Sequence, residues 1–105
     1  MREPNEIHVC VLLFVGIGGL EGLAKFEKKA LEIVKKHHGE LLSAFRPVPD
    51  ATETPDEIHY LKFPNAIAFE AFKNDARHKE LAGERAEAIL RTEICVSNRH
   101  IDYSS

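Results

Sequence analysis

The sequence predicts an α+β sandwich: one four-stranded antiparallel sheet with its helices on a single face. Three observations carry this. Short apolar or alternating runs at Ile7–Val15, Glu40–Arg46, Ile58–Phe63 and Glu93–Ile101 read as strands, and the segments between the first and second and between the third and fourth have helical periodicity. At 105 residues and 44% hydrophobic, the chain forms one domain, residues 1–105, around a single core. Short connections and right-handed crossovers then leave one strong topology for the order strand, helix, strand, strand, helices, strand. It is the ferredoxin-like split βαβ sandwich, with strands in spatial order 4-1-3-2.

The first strand, Ile7–Val15, is apolar on both faces and so is placed centrally. A small sheet with one helical layer leaves its other face open, which points to self-association there. The glycines of Gly16-Ile17-Gly18-Gly19-Leu20-Glu21-Gly22 do not form a dinucleotide fingerprint, because the third glycine would fall at Glu21; they read as a tight strand-to-helix turn. From Leu20 to His38 an apolar side formed by Leu20, Leu23, Phe26, Ala30, Ile33 and Val34 opposes a lysine- and glutamate-rich one. Glu27 breaks that pattern, lying in the middle of the apolar side with His38 beneath it, and Gly39 supplies the stop.

The second strand ends at Pro47 and Pro49, and residues 50–55 form a polar loop. Pro64 closes the third strand, Asn65 caps a short apolar helix over 66–72, and Asn74-Asp75 interrupts it before a helix over 76–91. On that last helix His78 and Arg85, seven apart and nearly superposed, share the apolar side.

A net charge of -3 gives no electrostatic footprint for nucleic acid or an anionic membrane. Val9–Ile17 is too short to span a bilayer and lacks the flanks of a signal peptide, so the chain is expected to be soluble and cytoplasmic. Cys10 and Cys95 sit in apolar strand-like runs, the pattern of buried thiols in a reducing compartment.

Six histidines raise the question of a metal. Strands one and four are antiparallel neighbours, and pairing them with His8 opposite His100 or with Cys10 opposite Cys95 requires registers three residues apart, so the two exclude each other. Without a third placed ligand or a metal-binding spacing, no metal and no cofactor is expected; for heme, His59 and His78 are the first axial candidates. Ser43 and Ser97 have no glycine elbow, and no motif fixes a substrate.

The segments KKHHGELLSAFRP and HYLKFPNAIAFEAFKND, with Phe26 before them and Arg85 beyond, resemble a family of small proteins of uncharacterised function in the dimeric α+β barrel superfamily. The chain departs from that family's pattern at Lys62, where the family has an acidic residue, and at Asn65, where it has serine. The resemblance implies a homodimer whose open sheet faces meet. If the protein is an enzyme, it implies cofactor-independent monooxygenase or isomerase chemistry. The expected site is a polar group on otherwise apolar faces: Glu27, His78 and Arg85, with His59, binding or converting a small apolar or aromatic acid. The alternative is a dimerisation module with no ligand.

Overall fold

The computed structural model describes residues 5–49, 53–99 and 101–104. Its elements are β1 (Ile7–Val15), α1 (Gly19–Lys36), β2 (Glu40–Phe45), β3 (Glu57–Phe63), α2 (Ala66–Lys73), α3 (Ala76–Glu80), α4 (Ala82–Ala88) and β4 (Ile89–Ser97). The sheet runs β2-β3-β1-β4 with every pairing antiparallel, which is the ferredoxin-like order expected.

Alternation along β1 sends Ile7, Val9 and Leu13 toward the helices, where all three are buried. The core has two clusters. Leu13, Leu23, Phe26, Ala30, Ala88 and Ile89 pack at one end, Ile7, Val9, Val34, Leu61 and Phe63 at the other, and Val11 touches both. Phe63, 1% exposed, stacks against Phe69 and Phe72 of α2, with ring centroids 5.2 and 5.4 Å apart. Asn65 caps α2 as expected, its side chain accepting from the Ala68 amide at 2.8 Å.

Three expectations need correcting. The predicted helix over 76–91 is two short helices broken at Leu81, and the chain is already extended at Ile89 (φ -126°, ψ 116°). β4 therefore starts four residues earlier than expected and ends at Ser97. The cause is β1, a long central template: it pairs Val15 with Ile89, and the Gly16 amide donates to the Ala88 carbonyl at 2.9 Å, so tertiary pairing overrides helical periodicity. This register places Cys10 opposite Cys95 and His8 opposite Ser97, removing the His8–His100 pairing; His100 itself lies outside the described residues. The thiols are not core: they lie on the helix-free face, Cys10 half-buried and Cys95 exposed.

The stop of α1 also differs in detail. His38, not Gly39, takes the left-handed conformation (φ 63°), its amide bonding Lys35 O and the Gly39 amide bonding Val34 O. Gly39 is required for space, since a Cβ there would lie 2.6 Å from both Phe63 and Val34. His38 is exposed, so it does not lie beneath Glu27 in the interior. His37 pairs instead with Asp75 at 2.7 Å, tying the end of α1 to the start of α3.

In the loop, residues 50–52 lie outside the described residues; past them Asp56 accepts from the Val15 amide at 2.9 Å. No helix among the described residues is long and apolar enough to cross a membrane.

Candidate functional site

Where the two core clusters meet, the sheet and the helices leave a partly open hollow of about 120 Å³. All four expected site residues line it: Glu27 from α1, His59 from β3, His78 from α3 and Arg85 from α4. The remaining wall is apolar, including Val11, Phe26, Leu61, Phe63 and Ile89.

His59 is the buried polar residue among those described, 4% exposed. Its position follows from strand alternation, since 57, 59, 61 and 63 all face the helices. Glu57 Oε2 lies 2.5 Å from His59 Nε2, and on the other side Glu27 Oε2 lies 3.6 Å from Nδ1. Arg46 Nε donates to Glu57 Oε1 at 3.0 Å. A polar line thus runs from exposed Arg46 through Glu57 and His59 to Glu27 at the cavity wall.

The two carboxyls of that line are driven apart. Burial pushes Glu27 above the usual glutamate range, with Glu57 adding to the rise and His59 and Arg85 opposing it. Burial also raises Glu57, but its hydrogen bonds to His59 and Arg46 overcome that and hold it below its usual range. Glu57 is therefore the fixed charge that orients His59, and Glu27 is the carboxyl that holds its proton to higher pH than an ordinary glutamate.

His78 stacks against Phe72, ring centroids 4.5 Å apart. Burial lowers its pKa, with the Lys73 backbone carbonyl opposing and the Arg85 charge adding to the drop, so the ring is held neutral. Arg85 donates to Thr92 Oγ1 at 3.0 Å and forms no ion pair with Glu27. Among the described residues no carboxylate forms an ion pair with Arg85, and a half-buried guanidinium so placed is suited to an anionic ligand.

Two members of this arrangement are not among the residues singled out from the sequence. Glu57 was within reach, because the spacing Glu57-Ile58-His59 puts both polar groups on one strand face. Thr92 was not, because helical periodicity assigned the preceding residues to a helix. Among the described residues no group of three or more His, Cys, Asp or Glu side chains is placed to hold a metal ion.

No protein-family model and no curated protein matches the sequence. Solved structures do match. RPA0582, a protein of unknown function from Rhodopseudomonas palustris, superimposes with a TM-score of 0.76 at 16% identity, over 96% of this chain and 86% of that one. SnoaB from Streptomyces nogalater, a cofactor-independent oxygenase, gives 0.70 at 8% identity over 96% and 99%. A dimeric protein of unknown function with a ferredoxin-like fold from Bacteroides fragilis gives 0.56 at 13% identity over 88% and 94%. At such identities the likeness concerns the fold alone, and on that ground the chain is a ferredoxin-like α+β protein similar to this group of small proteins.

Proposed function

We propose that the cavity between sheet and helices binds, and can act on, a small apolar or aromatic acid. The single observation that carries this is the convergence of Glu27, His59, His78 and Arg85 on one otherwise apolar hollow. At about 120 Å³ the hollow is smaller than the dry cavity of about 150 Å³ that takes benzene, so one ring is the most it can hold. Arg85 pairs with the ligand's carboxylate or phenolate, the apolar wall takes the ring, and Glu27 on the cavity wall exchanges a proton with it. No metal or cofactor has a role in this reading. The oxygenase activity of a protein with the same fold is compatible with it, but fold likeness does not choose the reaction.

Calorimetric titration with benzoate tests the reading. We expect binding that Arg85→Leu weakens about tenfold to a hundredfold, the cost of one charge-assisted hydrogen-bonding partner. The same substitution is expected to leave stability within about 1 kcal/mol, since Arg85 has no ion-pair partner in Glu27. Clear destabilisation by Arg85→Leu together with no benzoate binding overturns the ligand role.

A second reading, a dimerisation module, is favoured by the helix-free sheet face. Leu12, Phe14, Ile58 and Phe45 lie together at one end of it, Phe45 52% exposed. Self-association does not require an empty cavity, and we propose that the protein is a homodimer through the apolar end of this face.

A further inference from the structure

The opposite end of the helix-free face is polar and holds a second hollow, of about 170 Å³, lined by His8, Cys10, Tyr60, Cys95, Ser97 and Arg99. It lies on the other side of the sheet from the Glu27 cavity and shares no residue with it.

A directional hydrogen-bond chain ends at its wall. His8 Nε2 lies 3.1 Å from Glu6 Oε1, and His8 Nδ1 lies 2.6 Å from the Tyr60 hydroxyl. His8 and Glu6 are largely buried, their side chains being only 14% and 11% exposed. The hydrogen bond with His8 lowers the pKa of Glu6, and Lys62 at 3.4 Å adds to this, outweighing the opposing effect of burial. Glu6 is then a carboxylate and can only accept. A neutral His8 must place its proton on Nε2 to donate to Glu6, which leaves Nδ1 as an acceptor. In that tautomer Tyr60 donates to Nδ1, and its remaining lone pairs can accept from a ligand in the hollow. Arg99 supplies a positive charge on the same wall, its turn held by Ser97 Oγ, which accepts from the Arg99 amide at 3.1 Å.

We propose that this hollow is a second ligand site, taking a small organic acid that also carries a hydroxyl group, with Arg99 pairing with the carboxylate and the Tyr60 oxygen accepting from the hydroxyl. With a phenolic hydroxyl the chain can also carry a proton. The ligand's O–H bond breaks toward the Tyr60 oxygen while the Tyr60 proton forms an N–H bond at His8 Nδ1. The new negative charge is left on the ligand oxygen at Tyr60 while the carboxylate stays on Arg99, and the imidazolium rests against Glu6. Glu6 and His8 are positioning residues; Tyr60 and Arg99 touch the ligand.

The test is an amide NMR titration of the full chain with 4-hydroxybenzoate, and with benzoate as the probe lacking the hydroxyl. The expected result is that 4-hydroxybenzoate shifts the amides of Cys10, Tyr60, Cys95 and Ser97, with benzoate at least about tenfold weaker at those amides. Tyr60→Phe is expected to bring the two probes to equal affinity there, and Arg99→Gln, a change at an exposed position past β4, to weaken both about tenfold. Shifts confined to the amides around Glu27, His78 and Arg85 overturn this site while leaving the first one standing. Equal affinity of the two probes for the unaltered protein at the open-face amides removes the role of Tyr60, and no shift on that face removes the site.

Discussion

At the scale of single residues, the account turns on groups whose burial and charge conflict. Glu27 carries a raised pKa chiefly because it is buried, so the folded protein holds a proton there that the unfolded chain has released. Stability from this group therefore falls as pH rises from the ordinary glutamate value through the raised folded value. Glu27→Gln is expected to abolish that fall and, at neutral pH, to stabilise the protein by about 1 kcal/mol, as substitutions at strained functional sites commonly do. Chemical denaturation of both proteins across pH 4–8 checks it; parallel curves would show that Glu27 is not strained. Asp75 has the opposite sign. Hydrogen bonds from Arg77 and His37 depress it well below the usual carboxylate range, so its contribution is present above the ordinary aspartate value and lost as pH falls through the folded one. Asp75→Asn is expected to remove that acid-side loss and to lower stability at neutral pH. Glu27, His78 and Arg85 were legible in the sequence because each breaks an apolar helical face. Their convergence was not, since periodicity gives the face of each element but not the distance between elements.

At the scale of elements, the end of α1 separates two uses of glycine. His38 carries the left-handed conformation and Gly39 the close approach to Phe63 and Val34. The two positions should respond oppositely: His38→Gly is expected to stabilise by about 1 kcal/mol, and Gly39→Ala to destabilise by about 1 to 3 kcal/mol through overpacking. Thermal unfolding of the two variants measures both signs, and a stabilised Gly39→Ala would contradict the packing described. Gly16→Ala is expected to be costly as well, because its Cβ would lie 2.5 Å from the Glu87 carbonyl oxygen, which is backbone and cannot rotate away. The first three strands and α1 were readable to within two residues because alternation, Pro64 and the capping residues mark them locally. The start of β4 was not, because Ile89-Leu90 fits a helical face equally well, and only pairing with the far end of β1 decides it.

At the scale of the whole molecule, the order of the sheet was legible because chain order and crossover handedness leave little choice, whereas the register between β1 and β4 rested on long-range pairing. The uncovered face divides into an apolar end around Leu12, Phe14, Ile58 and Phe45 and a polar end where Lys62 lies between Glu6 and Glu40. Self-association through the apolar end is expected to give a dimer by sedimentation equilibrium. Leu12→Glu, which sets a second carboxylate directly opposite Glu93, is expected to shift the population to monomer, and an unchanged dimer would place the contact elsewhere. The central claim concerns the other face of the sheet. It is tested most directly by a crystal structure of the protein grown with benzoate and examined between β1, α1 and α4. The account predicts a ring against Phe26 and Val11 with its carboxylate on Arg85 and Glu27 within reach; a closed interior with Arg85 turned onto Glu27 and no ligand beside them would contradict it.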